Sequence, residues 1–164
     1  MTGNIEIIEA GIQDAEVASS IMCEAALWLK DQGMDLWLPE ELSPGMLEPS
    51  IRTGELHLVI MRGDPVGTVI YQHSDRLFWP DMPEGDAAYI HKIIVKRSVA
   101  GQGLGSRIIA WAAEKALQEG RRYLRLDTEA SRVKLCALYE SAGFIRHSYR
   151  QVGRHYVVRY EMEV

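Results

Sequence analysis

Several things are scarce in this chain of 164 residues, and each scarcity narrows what it can be. It has two cysteines, Cys23 and Cys136, each inside an amphipathic stretch and without a partner at metal-ligand spacing. They read as reduced thiols in a core. No apolar run approaches the roughly 20 residues that a membrane-spanning helix needs. The opening Met1-Thr2-Gly3-Asn4-Ile5-Glu6 shows neither the basic nor the apolar region of a signal peptide. A cytoplasmic protein with no membrane partner is therefore expected. His57, His73, His147 and His155 show no metal spacing, so no metal site is expected. Repeats, low-complexity tracts and linker-like segments are missing too, which predicts one domain over residues 1–164.

Basic residues are scarce only in the first half. Residues 1–85 carry four Lys/Arg (Lys30, Arg52, Arg62, Arg76) against fifteen Asp/Glu, while residues 86–164 carry fourteen against eight. The net charge of −5 argues against a nucleic-acid partner. The asymmetry suits an anionic cofactor in the basic half and a cationic co-substrate in the acidic half.

Hydrophobic periodicity predicts strands at 4–9, 56–62, 66–73, 87–95, 123–128, 144–150 and 155–163. It predicts helices from Asp14 to about Lys30, from Ser43-Pro44 to near Gly54, from Gly103 to about Glu119, and from Ser131 to Ala142. Gly63-Asp64-Pro65 is expected to turn the hairpin between the second and third strands. Hairpins mixed with crossovers predict an α/β (α+β) domain on a mixed, mostly antiparallel sheet of about seven strands flanked by about four helices.

The sharpest local signal is Ala100-Gly101-Gln102-Gly103-Leu104-Gly105-Ser106, three alternate glycines running straight into an apolar-periodic helix. Glycine lets backbone approach a ligand closely, and the first N–H groups of a helix, with its dipole, attract an anion. A Walker loop would need Gly-Lys-Ser/Thr, and here Gly105-Ser106-Arg107 lacks the lysine. A dinucleotide fingerprint spaces its glycines differently and sits near the start of a domain. A phosphate-bearing ligand is expected, with a nucleotide as the weaker choice.

Three segments together narrow that ligand. Tyr89-Ile90-His91-Lys92-Ile93-Ile94-Val95, then Gly101-Gln102-Gly103-Leu104-Gly105, then Leu138-Tyr139-Glu140-Ser141-Ala142-Gly143-Phe144 resemble consecutive motifs of the GCN5-related N-acetyltransferases (GNAT). The resemblance implies acetyl-CoA as donor, coenzyme A as product and a primary amine as acceptor, with a sheet splayed at the cofactor site. It implies backbone binding of the acyl-pantetheine by Ile93, Ile94 and Val95, and of the pyrophosphate by Gly101, Gln102, Gly103, Leu104, Gly105 and Ser106. Arg132 stands where the family often has Asn and is expected to meet CoA phosphate or amide groups. Ala100 departs from the family's Arg or Gln, for which Gln102, Ser106, Arg107, Lys96 or Arg97 could compensate.

The chemistry needs a base for the ammonium and an acid for the departing thiolate. Tyr139, protonated at neutral pH, matches the family's acid. His91 matches the histidine that transfers protons in the arylalkylamine branch and has a suitable reference pKa; Asp81 and Asp127 are the alternatives. An acceptor pocket could draw on Trp28, Trp37, Trp79, Tyr71, Met34 and Met46, with Asp35, Glu40, Glu41 and Asp81 to hold a cation. A non-catalytic acyl-CoA sensor of the same fold is the competing function. The sequence leaves open whether the last two strands build a homodimer interface.

Overall fold

The structure, a computed structural model, describes residues 3–164. Its strands are β1 (Ile5–Glu9), β2 (Leu56–Met61), β3 (Asp64–Gln72), β4 (Ala87–Val95), β5 (Tyr123–Glu129), β6 (Ile145–Val152) and β7 (His155–Glu163). Its helices are α1 (Ala15–Asp31), α2 (Pro44–Arg52), α3 (Leu104–Gln118) and α4 (Val133–Ser141). The strands form one mixed sheet in the order β1-β2-β3-β4-β5-β7-β6. This is the expected class and element order. No helix of the described residues is long and apolar enough to cross a membrane.

Two compact units make up the chain: the part up to Ile70 with Lys92–Ile108, and Tyr71–His91 with Ile109–Val164. In the first, Ile21, Met22 and Ala26 of α1 pack with Leu47 and Ile51 of α2, Leu56 and Leu58 of β2, and Ile94 of β4. Burying such side chains contributes about 1.5–3 kcal/mol each before entropy is counted. In the second, Trp79, Ala87 and Tyr89 form one apolar cluster. Tyr139, Phe144 and Tyr160 form another, each pair of rings meeting edge to face.

Local chemistry sets the boundaries. Asp14 precedes α1, but its carboxylate accepts the N–H of Gly11 at 2.8 Å rather than capping the helix it was expected to start. The β2–β3 hairpin turns at Arg62-Gly63, one residue earlier than expected. Met61 pairs with Asp64, and both turn residues have positive φ, +53° and +81°, as a two-residue primed turn requires. Gly143 (φ +107°) ends α4, and the N–H of Phe144 then donates to the carbonyl of Tyr139 at 3.0 Å. That bond explains the Tyr-x-x-x-Gly-Phe spacing: the glycine turns the chain back so that the phenylalanine ring packs on the tyrosine. Cys23 and Cys136 are free thiols, the second buried.

Two departures fall on β4. A regular strand alternates its faces residue by residue, but Lys92 lies at φ +50° in mid-strand, an uncommon position for a side-chain-bearing residue. Its carbonyl accepts the Thr68 hydroxyl at 2.9 Å, and its ammonium lies 4.5 Å from the centre of the Trp37 ring. The parallel register with β5 runs only from Ala87↔Tyr123 to Tyr89↔Arg125, so Ile90 and His91 lie past its last rung.

Candidate active site

In the first unit, β4 leads through a short 3-10 turn, Arg97–Val99, into the glycine loop and α3. Gly101 and Gly103 have φ +80° and +74°, and a Cβ on either would meet nothing within 4 Å. The glycines are there for the conformation, and the space beside them is open. The first bond of the helix ladder is Arg107 N–H to Gly103 carbonyl at 3.3 Å, so the N–H groups of Leu104, Gly105 and Ser106 precede it. Gln102 and Ser106 are exposed.

Two of the residues expected to compensate for Ala100 are engaged elsewhere. The Arg107 guanidinium donates to the Gly3 carbonyl at 2.7 Å, and that of Arg97 lies 4.1 Å from the centre of the Trp28 ring. Ala100 itself is exposed.

In the second unit, the segment between β3 and β4 folds back over Tyr89 and His91. Asp75 Oδ1 accepts the N–H groups of Leu77 (3.2 Å) and Phe78 (3.0 Å), closing a tight turn. Its other oxygen lies 3.0 Å from His91 Nε2. On the far side of the ring, His91 Nδ1 is 3.9 Å from Asp127 Oδ2, while the Phe78 ring stands 6.2 Å from the imidazole. The three side chains are 6% (Asp75), 9% (Asp127) and 21% (His91) exposed. Burial pushes the Asp75 carboxyl up, but the proximity and charge of His91, with the two backbone donors, bring it below the usual carboxylate range. Asp75, His91 and Asp127 each offer a ligand atom within 4.8 Å of the others, the one trio among the described residues with the geometry to hold a metal ion.

Asp81, the alternative base, is committed to structure. Arg159, 4% exposed, grips it with two nitrogens at 2.7 and 3.1 Å, and also donates to the Phe78 carbonyl and to Ser148. That bidentate bond holds the Asp81 carboxyl at about 2, too low for proton abstraction near neutral pH. Trp79, expected in a pocket wall, is 2% exposed and touches a cavity only at its edge, with the guanidinium of Arg159 at 4.6 Å and of Arg125 at 5.3 Å from its ring centre. Arg125 in turn bonds Glu161 at 2.8 Å and the Tyr89 hydroxyl at 3.0 Å. A cavity of about 350 Å³ lies against this segment, lined by Ser74, Asp75, Glu84 and Tyr89 among others. Of the other expected pocket residues, Tyr71 is buried and donates to Glu119, whereas Met46 is 60% exposed.

Tyr139 sits in α4, 5% exposed, between the rings of Phe144 and Tyr160. Burial pushes its hydroxyl well above the usual tyrosine value; Arg132 pulls it down, and Asp127 and Cys136 push it further up. The phenol therefore stays protonated throughout the physiological range. Arg132, just before α4, is half-buried and titrates below an ordinary arginine because of that burial. Burial also raises Tyr71 and Tyr160. All three tyrosines ionise near pH 10 in an unfolded chain and only higher in the folded one. Stability is thus full below pH 10 and falls as pH rises through it. Urea midpoints measured from pH 8 to 11 should drop at the alkaline end, and a flat series would contradict these burials.

Sequence reasoning missed Asp75 and Arg159. The only local signal for Asp75 was a Ser-Asp turn, and Arg159 gave none, because its acceptors in the β3–β4 segment lie 78 and 81 residues away.

The family model for the acetyltransferase (GNAT) family matches residues 22–144. An uncharacterized N-acetyltransferase of Bacillus subtilis, YesJ, is 28% identical over 141 residues, covering 80% of this chain and 77% of that one. A solved acetyltransferase of the same family from Listeria monocytogenes superposes with a TM-score of 0.81 at 22% identity, covering 100% of this chain and 99% of the other. A solved aminoglycoside acetyltransferase in complex with coenzyme A gives 0.74 at 16% identity, covering 98% and 95%. The matched span takes in the β4 strand, the glycine loop and the Tyr139 helix. This chain belongs to the acetyltransferase (GNAT) family, the GCN5-related N-acetyltransferases.

Proposed function

We propose that the chain, acting as one domain, moves an acetyl group from acetyl-CoA to a primary amine of a small molecule or peptide, the amine arriving as a cation. Family membership supports N-acetyl transfer, and the coenzyme A complex of the aminoglycoside acetyltransferase supports the donor. The observation that carries the donor reading on this chain is the glycine loop. Two residues at left-handed φ open onto three N–H groups ahead of the first helix bond, which is what a pyrophosphate requires.

In this reading Gly101, Gln102, Gly103, Leu104, Gly105 and Ser106 hold the pyrophosphate through their backbone. Ile93, Ile94 and Val95 offer backbone groups to the acyl-pantetheine arm, and Arg132 meets CoA amide or phosphate oxygens. With Arg97 and Arg107 engaged elsewhere, pyrophosphate binding rests on main-chain N–H groups more than is usual for an Arg- or Gln-led loop.

His91 takes one proton from the substrate ammonium. The freed amine attacks the thioester carbonyl, a C–N bond forms, and the C–S bond breaks. Tyr139 gives its proton to the departing thiolate and regains one from solvent, while the amide nitrogen sheds its remaining extra proton to solvent. The acidic first half of the chain and the carboxylates of Asp75 and Asp127 beside His91 support a cationic acceptor.

Thermal-shift titration and thiol release test this. Acetyl-CoA at about a hundred times its Kd should stabilise the fold by about 2.7 kcal/mol, and thiol should appear only when an amine from a panel is added. Stabilisation by ATP or NAD but not acetyl-CoA would overturn the donor. Tight CoA binding with a flat response to every amine would turn the protein into a sensor.

A further inference from the structure

Asp75, His91 and Asp127 come from three separate stretches, the β3–β4 segment, β4 and β5, and no spacing in the sequence links them. We propose that they bind one divalent transition-metal ion of the zinc class, and that the bound ion inhibits acetyl transfer by occupying the imidazole. The binding stands by itself; the inhibition rests on His91 being the base.

The observation that points to an ion is a single oxygen. Asp75 is 6% exposed, and its Oδ1 is held by the N–H groups of Leu77 and Phe78. Its Oδ2 is shut off from solvent and accepts no hydrogen bond among the described residues. A buried carboxylate oxygen in that state is costly unless a cation faces it. His91 Nε2 is 3.0 Å away, yet out of line for a hydrogen bond. Close but out of line is how two donors stand around a shared ion: with bonds of about 2.1 Å, neighbouring donors lie about 3 Å apart.

Asp127 supplies the third donor. It is 9% exposed, its Oδ2 is 3.9 Å from His91 Nδ1, and one atom from each of the three residues lies within 4.8 Å of the others. Asp127 and His91 have further interactions, and an ion asks only one atom of each. Charge favours the ion as well. A neutral imidazole brings no charge against two carboxylates and an imidazolium brings one, whereas a divalent ion balances both.

The donor set selects the metal. An imidazole nitrogen suits zinc, nickel or cobalt, while calcium and magnesium ask for more oxygens than these residues give. A nitrogen bound to the ion has no lone pair left for a proton, so the loaded protein loses its base. The charge of the ion also cancels the carboxylates that draw a cationic amine.

Calorimetric titration of the chelator-treated full chain with zinc should show one tight site per chain, with which magnesium in large excess does not compete. Asp75→Asn keeps an oxygen for the Leu77 and Phe78 N–H groups and puts an NH₂ where the ion needs an oxygen. Its zinc affinity should fall at least about tenfold, with a thermal midpoint in the absence of zinc no lower than that of the natural protein. Asp127→Asn should lose affinity in the same way. His73→Ala and His155→Ala, which break the histidine pairs with Glu119 and Glu129, should leave it unchanged. Absence of binding, affinity undiminished in Asp75→Asn, or affinity that follows His73 or His155 would overturn the site.

With the best amine of the panel, zinc should lower turnover in step with its occupancy, and a chelator should restore it. Activation by zinc would overturn the inhibition. The base reading fails separately: His91→Ala with an unchanged rate and pH profile removes His91 from the chemistry, while lost zinc affinity in that same variant still supports the site.

Discussion

If Tyr139 is the acid of the proposed reaction, replacing it by phenylalanine should lower turnover by about 10²–10⁴-fold, the usual contribution of a positioned acid, and leave the affinity for coenzyme A and the thermal midpoint nearly unchanged. The substitution removes one oxygen and keeps the ring. The packing that holds the residue is ring packing, against Phe144 at 6.0 Å and Tyr160 at 5.9 Å between centroids, and phenylalanine preserves both contacts. What goes is a proton that burial keeps on the hydroxyl well past neutral pH. Thiol-release kinetics with isothermal titration of CoA separate the two quantities. Turnover within twofold of the natural protein would remove Tyr139 as the acid. A fall in affinity as large as the fall in rate would make it a binding residue instead.

Substituting Gly67 by alanine is expected to cost at least about 3 kcal/mol, a fall of roughly 6–12 °C in Tm for a chain of this size. A Cβ on this residue of β3 would lie 2.4 Å from the main-chain carbonyl oxygen of Ile94 and 3.4 Å from the Val59 side chain. Backbone cannot yield as the end of a flexible side chain can. To admit the methyl group, β4 would have to move at the stretch where Lys92 holds its left-handed φ and the Thr68 hydroxyl grips its carbonyl. Ile94 also belongs to the apolar core of that unit, so the shift would disturb packing with α1 and α2. In the functional reading the same main chain serves the acyl-pantetheine arm, so CoA affinity should fall with stability. Gly45→Ala is the control. Gly45 lies in α2, where an added methyl group would meet nothing within 4 Å, and alanine there should be neutral or stabilising by up to about 1 kcal/mol. Equal midpoints for the two variants would show that β4 does not press on Gly67.

The order of strands and helices was legible because each element carries its own periodicity: Ile108, Ile109, Ala112 and Ala116 repeat at helical spacing, and all four are buried. The turns that depend on glycine were legible to within a residue, since left-handed backbone leaves a compositional mark. Lys92 left none, because its φ is imposed by neighbouring strands on a residue with no preference for it. The site divides along the same line. The glycine loop and Tyr139 belong to contiguous motifs and could be named from them. His91 and Asp127 could be named as candidates, but not as neighbours, and Asp75 not at all, since the two carboxylates reach the imidazole from sixteen residues before and thirty-six after. Asp81 looked available because its commitment to Arg159 is a contact across 78 residues, and periodicity carries no record of such a distance.

The burial of Trp79 has a use that does not depend on any assigned role. Trp28, Trp37 and Trp111 are half-buried, so their emission is that of partly wetted indoles. Trp79 is sealed between two guanidinium groups, and its Nε1–H meets no hydrogen-bond partner among the described residues. As the one fully buried indole among the described residues, it is the one whose light should lie furthest to the blue. The segment that carries Asp75 thus contains its own fluorophore, and any loosening of that segment can be followed optically without a label.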